Sequence, residues 1–247
     1  MPYDFNGKLV VVTGASAGIG AEVCRGFVKL GAKVVALDIS DDVNDVAKEL
    51  GEDKVFAYLC DVSSRDNVQK VVKNIALQHG KIDILVNNAG IVALDKAEDL
   101  SQQAWQKTID VNLSGVFYMA QAVGKEMLKN KGGKIVNLAS QAGVIGIENH
   151  VAYCAAKFGV IGITKVLAIE WAQHQINVNS VSPTVVLTEL GKKAWSGEVG
   201  EEMKKKIPAR RFAEPYEVVD TILFLASDKA SMIHGENILI DGGYTAQ

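Results

Sequence analysis

A chain of 247 residues with 48% hydrophobic and 22% charged content can bury a full core, which excludes a disordered polypeptide. Its net charge of −3 leaves no basic footprint for nucleic acid, and the one cationic run, Lys204-Lys205-Lys206, reads as a solvated helix face. Cys24, Cys60 and Cys154 lack Cys-x-x-Cys pairing, and His79, His150, His174 and His234 lack ligand spacing, so neither a disulfide framework nor a metal site is expected.

Met1-Pro-Tyr-Asp-Phe5 has no basic segment followed by an apolar one, and no apolar stretch reaches the ~18 residues that cross a bilayer. A cytoplasmic protein with no membrane partner is the expectation. No repeat, Ser/Pro-rich stretch or long charge run interrupts the chain, so residues 1–247 are expected to form one domain.

Short apolar runs alternate with longer amphipathic segments, the pattern of a parallel sheet covered on both faces by helices. In chain order the strands are expected near Leu9–Thr13, Lys33–Asp38, Val55–Cys60, Ile84–Asn87, Lys134–Leu138, Asn177–Val181 and Ile238–Ile240. The helices expected between them are Gly18–Leu30, Ser64–His79, Gln102–Lys129, Ala152–Gln173 and Pro215–Ala226. The fold class is a single α/β, doubly wound (Rossmann-type) domain with a seven-stranded parallel sheet. Right-handed crossovers would put the ligand at the carboxyl ends of the strands, beside the first strand.

Thr13-Gly-Ala-Ser-Ala-Gly-Ile-Gly20 follows the first strand. Its glycines Gly14, Gly18 and Gly20 permit a tight turn, and the backbone around Ser16 and Ile19 can approach a pyrophosphate at the next helix start. Asp38 ends the second strand about twenty residues on, where a carboxylate accepts from adenosine ribose hydroxyls and repels a 2′-phosphate. No Arg or Lys lies in Ala15–Gly18, and Ile39 follows Asp38, so NAD is expected over NADP.

Tyr153 and Lys157, spaced Tyr-x-x-x-Lys, share one helix face. A cation one turn away is expected to favour the phenolate and lower the phenol's usual pKa of roughly 10. Tyr153 can then pass a proton to or from a carbonyl oxygen.

These motifs, with Asp61-Val62, Asn87-Asn88-Ala89-Gly90, Asn112, Ser140 and Asp241-Gly-Gly243 in order, resemble the short-chain dehydrogenase/reductase family over essentially the whole chain. The resemblance implies a nicotinamide cofactor across the strand ends. Asp61 and Val62 would lie near adenine, and Asn88, Ala89 and Gly90 by the ribose. Pro183 and Val186 would lie near nicotinamide, and Thr188 would hold the carboxamide or pyrophosphate. It further implies a catalytic set: Tyr153 as acid and base, Ser140 on the substrate oxygen, Lys157 on the phenol and ribose, and Asn112 distorting its helix to hold a water.

Ser140-Gln141, Asn149-His150 and Ser182–Thr188 followed by Trp195 are similar to the L-xylulose (dicarbonyl) reductase branch, which implies substrate contacts from Ser140, Gln141, His150, Tyr153 and Trp195. That branch uses NADPH, in conflict with Asp38-Ile39. The expected substrate is a small carbonyl or alcohol, either a ketose/polyol or a dicarbonyl. A 3-oxoacyl-thioester reductase, with Lys204–Lys206 meeting an acyl carrier, and a non-catalytic NAD-sensing module are the alternatives. Family members of this length imply a homotetramer, with Gly242–Gln247 packing on a neighbour. Residues 187–208, with few rigid signals, are expected to close over substrate.

Overall fold

The computed structural model describes residues 3–246, apart from the Leu190 side chain. Met1, Pro2 and Gln247, parts of the expected start and tail, lie outside the described residues. The strands are β1 (Leu9–Thr13), β2 (Lys33–Asp38), β3 (Val55–Leu59), β4 (Ile84–Asn87), β5 (Gly133–Leu138), β6 (Ile176–Pro183) and β7 (Asn237–Ile240). They form one parallel sheet in the order β3-β2-β1-β4-β5-β6-β7, so strand order reverses between β1 and β4. The crevice beside β1 is thereby the topological switch point that the alternating pattern implied.

The helices are α1 (Gly18–Lys29), α2 (Val43–Leu50), α3 (Arg65–His79), α4 (Gln102–Ile109), α5 (Gly115–Lys129), α6 (Val151–Trp171), α7 (Glu189–Ala194), α8 (Glu198–Lys206) and α9 (Pro215–Ala226). Side-chain alternation divides the core into two layers. Val10, Val12, Val34, Ala36 and Val136 pack against Phe27 of α1 and Ile222 of α9. Val11, Val35, Leu37, Leu85 and Ile135 face Ile75 of α3 and Met119 of α5. Each buried Val or Leu contributes about 1.5–3 kcal/mol, which makes a one-residue register slip prohibitive.

Several expectations need correction. The expected helix Gln102–Lys129 is α4, a π-helical turn at Asp110–Ser114, and α5. The eight-residue α2 lies where no helix was expected; it is highly charged, and only Val43, Val46 and Ala47 turn inward. β6 runs beyond Asn177–Val181 because its polar positions are satisfied inside: Ser180 and Ser182 both donate to Asn237 Oδ1, at 2.8 and 2.7 Å. The helical stretch Val151–His174, 24 residues, contains an 18-residue window of mean hydropathy 1.5 and so does reach the length and apolarity of a membrane span. Much of that apolarity is used against the sheet, through Ala152, Ala156, Val160 and Leu167.

Candidate functional site

The cofactor cleft begins at the β1–α1 turn. Ala17, the residue before α1, makes no capping side-chain bond, and the first turn holds no acidic residue, so the positive helix end is left for an anion. A Cβ on Gly20 would meet Gly14 O at 2.0 Å, which makes glycine obligatory in this cradle. Thr13 and Asn88 stitch the loop to the β4 end. Thr13 Oγ1 accepts from the Asn88 and Ala89 N–H groups at 3.0 Å, while Asn88 Nδ2 donates to Thr13 O and Gly14 O at 2.9 Å.

Asp38 carries one carboxylate oxygen toward the loop, accepting from Ser16 N–H at 3.0 Å, and one toward Ser40 N–H at 3.1 Å. It braces the glycine turn, while each oxygen keeps a further lone pair. Next to it, Ile39, Asp61 and Lys107 line a cleft of about 730 Å³. Asp61 shapes the turn after β3 by accepting from Ser63 N–H and Oγ. Val62 is buried beneath, facing Gly115. Pro183 ends β6, and the Val186 carbonyl accepts from Thr188 N–H at 2.8 Å. Thr188 caps α7 by accepting from Gly191 N–H at 3.1 Å, and its methyl faces Gly18. The uncapped helix end, the glycine cradle and the carboxylate at the strand end fit an adenine dinucleotide.

The four expected catalytic side chains converge from three elements. Lys157 Nζ lies 5.5 Å from the Tyr153 ring centre, and it donates to Leu138 O, at the end of β5, at 2.6 Å. Ser140 follows β5, its Oγ accepting from Ala142 N–H at 3.1 Å. Asn112 sits in the π turn, fully buried, and its amide donates to Ile91 O and Thr108 O at 2.8 and 3.0 Å. A Cβ on Gly90 would lie 2.7 Å from Asn112 Oδ1 and 3.8 Å from Lys157 Nζ, so glycine is what lets these two residues sit on either side of one backbone.

The expected effect of Lys157 on the phenol is overturned. Burial is the largest influence and pushes Tyr153 above its ordinary range, against a lowering by the Ser140 hydrogen bond. Burial also pushes Lys157 down to about 8. Desolvation penalises both charged forms, so this pair rests as a neutral phenol beside a weakened ammonium.

All five expected substrate residues, Ser140, Gln141, His150, Tyr153 and Trp195, line one cavity of about 770 Å³. Gln141 Oε1 and Thr184 Oγ1 are buried there without partners among the described residues. His150 Nδ1 lies 2.6 Å from Glu148 O, which can only accept, so that nitrogen holds the proton. Trp195 packs on Phe212, ring centres 6.0 Å apart. The stretch 187–208, expected to lack rigid elements, is built of α7 and α8 joined at Gly197, whose φ is +71°.

Glu148, Met203, Lys206 and Tyr244 also line the cavity and were missed. Met203 and Lys206 lie on α8, where the sequence suggested only a solvated helix face, and Tyr244 is distant in sequence from every other lining residue. Among the described residues no group of three His, Cys, Asp or Glu could hold a metal ion.

A family model described as enoyl-(acyl carrier protein) reductase matches residues 14–245. The chain is 55% identical over 244 residues to an NAD-dependent glycerol dehydrogenase of Listeria innocua, covering 98% of this chain and 96% of the relative. It is 50% identical to a D-threitol dehydrogenase of Mycolicibacterium smegmatis, covering 98% and 95%. Identity to an L-xylulose reductase of Caenorhabditis elegans is 38%, covering 98% of each. A solved short-chain type dehydrogenase/reductase from Mycobacterium marinum superposes with a TM-score of 0.92 at 37% identity, covering 99% and 98% of the two chains. The chain belongs to the short-chain dehydrogenase/reductase family of oxidoreductases.

Proposed function

We propose that this protein is an NAD(H)-dependent oxidoreductase interconverting a secondary alcohol of a small polyol with the corresponding ketone. The observation that carries it is the cavity of about 770 Å³ lined together by Ser140 and Tyr153 and by the polar residues Gln141, His150 and Thr184. A hydroxyl-rich chain supplies both the reacting carbinol and further hydroxyls for this polar lining. The two relatives of at least 50% identity are polyol dehydrogenases by name, which supports a polyol over the L-xylulose and dicarbonyl substrates that the pocket motif suggests.

A bound nicotinamide dinucleotide would accept or supply the hydride. The α1 start, Asp38 and Thr188 would hold it, and the Asp38 carboxylate would disfavour a 2′-phosphate. Ser140 donates a hydrogen bond to the substrate oxygen as charge develops on it. The neutral Tyr153 phenol gives its proton to that oxygen in reduction, and in oxidation the phenolate form takes the carbinol proton back. Lys157 supports the phenolate left behind, and Asn112 fixes the Gly90–Ile91 backbone beside Lys157.

Reduction of a 3-oxoacyl thioester is the second reading, and the charge pattern weighs against it. Lys204 and Lys205 pair with Glu201 and Glu202 at 2.7 and 2.5 Å, which dilutes the basic patch for an acyl carrier. A purely NAD-sensing module would have no use for the four assembled catalytic side chains. Phe158, Val166 and Ile169 expose an apolar strip on α6, Ile169 at 80%, which supports assembly with further copies into a homotetramer. Cytoplasmic residence fits three unpaired cysteines, with burial pushing Cys24 and Cys60 to about 12.

The test is nicotinamide absorbance with NAD or NADP against glycerol, threitol and xylitol, and with NADH or NADPH against L-xylulose, diacetyl and an acetoacetyl thioester. NAD-linked polyol oxidation is expected. Turnover of the thioester alone would replace this function with the second reading.

A further inference from the structure

We propose that Tyr244 is a specificity-determining residue that contacts the end of the substrate remote from the reacting carbinol, and that Asp241 is the positioning residue that sets it; this rests on the polyol oxidoreductase reading above. Tyr244 opens the last turn of the chain, Tyr244–Ala246, and lines the same cavity as Ser140, Tyr153 and Trp195. Its ring is half-buried, and the described residues give its hydroxyl no hydrogen-bond partner. A phenol of this kind offers an apolar face to a carbon chain and a donor–acceptor hydroxyl to a distal OH.

The tail is held there rather than resting there. Asp241 is buried, 6% exposed, and its carboxylate accepts three hydrogen bonds that fold the tail around Tyr244. Oδ1 accepts from Gly243 N–H at 2.9 Å, and Oδ2 accepts from Thr245 N–H at 2.9 Å and from Thr245 Oγ1 at 2.6 Å. Tyr244 N–H itself donates to Asp241 O at 3.1 Å. Gly242 and Gly243, with φ of +61° and +87°, let the backbone reverse, and a Cβ on Gly242 would lie 2.8 Å from Ile207. Ala209 N–H donates to Gly242 O at 3.0 Å, and Thr184 N–H donates to Ile240 O at 3.1 Å. The platform under Tyr244 is therefore bonded both to the chain leaving α8 and to Thr184, which lines the same cavity.

The test measures kcat and KM of the full-length enzyme for threitol and for butane-2,3-diol, which keeps a carbinol and its neighbour but lacks the terminal hydroxyls. Tyr244→Phe removes only the hydroxyl. It is expected to lower kcat/KM for threitol by about 3- to 10-fold, through KM, while changing butane-2,3-diol less than 2-fold. Asp241→Asn is expected to lower threitol kcat/KM similarly, and to add nothing in the Tyr244→Phe background. A destabilised fold would lower both substrates alike and would act additively, so equal losses on the two diols, or additive effects, overturn the proposal. No effect of Tyr244→Phe on threitol also overturns it. Should the wild-type enzyme leave every alcohol untouched, it is the polyol oxidoreductase reading that fails, taking this inference with it. The double-variant cycle needs threitol alone, so lack of turnover of butane-2,3-diol does not stop the test.

Discussion

Asn112 and Ile91 are bonded to each other twice: Ile91 N–H donates to Asn112 Oδ1 at 2.9 Å, and Asn112 Nδ2 donates to Ile91 O at 2.8 Å. The pair joins the π turn between α4 and α5 to the segment after β4, and it accounts for a helix interrupted at its centre. An amide mimics a peptide edge here, so the loop gains a strand-like partner from a side chain. Asn112→Ala leaves the buried Ile91 groups unpaired and is expected to destabilise the fold by about 2–4 kcal/mol and to lower kcat. Denaturant unfolding and steady-state rates measure the two effects, and a variant with unchanged stability would disprove the bracing role.

Tyr153→Phe is expected to lower kcat by roughly 10²- to 10⁴-fold, the usual scale of a positioned proton donor, and to leave dinucleotide binding intact. Calorimetric titration of the cofactor alongside turnover separates the two. Substantial residual rate would mean that another group handles the proton.

Lys157 gives a pH signature. Burial places it near 8, so its ammonium is present below that pH and is lost as pH rises through it. Tyr153 is raised by burial and stays protonated across this range. The reductive kcat/KM is therefore expected to be flat below about pH 8 and to fall above it, while Lys157→Met lowers the rate and removes the inflection. A wild-type profile without a break between pH 7 and 9 would contradict the coupling.

Asp38→Asn neutralises the carboxylate and retains one acceptor oxygen, whereas Asp38→Ala also removes the brace on Ser16 N–H. Both are expected to raise the NADPH-to-NADH ratio of kcat/KM by tenfold or more, as loss of a charge that would repel a 2′-phosphate predicts. Asp38→Ala is further expected to weaken NADH binding. An unchanged ratio in both variants would remove Asp38 from cofactor choice.

Glu217 ties α9 to the preceding loop. Its oxygens accept from Arg211 at 2.6 and 2.7 Å and from Glu214 N–H at 2.8 Å, and these bonds hold its carboxyl down at about 2. A depressed carboxyl contributes stability that is complete above its unfolded value of roughly 4.3 and is lost as pH falls toward 2. The pair is partly exposed, so Glu217→Gln should lower Tm by only about 2–4 °C at pH 7. The difference from wild type should vanish by pH 2, which scanning calorimetry can follow.

What could be read in the chain follows from local chemistry. The valine-rich runs of β1 and β2 can only be buried strands, Thr13–Gly20 can only turn tightly, and Tyr-x-x-x-Lys shares a face whatever surrounds it. Boundaries shifted where tertiary partners stepped in, as when Asn237 satisfied Ser180 and Ser182 and lengthened β6. The polarity of α2 and α8 concealed them, because an eight- or nine-residue helix with a thin apolar stripe leaves little periodicity to detect.

The sequence by itself determined the sheet, the glycine-rich turn after β1 and the four side chains proposed for catalysis, since each is a matter of spacing along one strand, turn or helix. Tertiary structure alone decided the electrostatics and the shape of the pocket. Spacing suggested a phenol lowered by its lysine, whereas burial, which depends on every element packed around them, raised the one and depressed the other. Tyr244 likewise came to face Ser140 only through the folding of β7 onto β6, because contacts across a cavity join residues that no local rule relates.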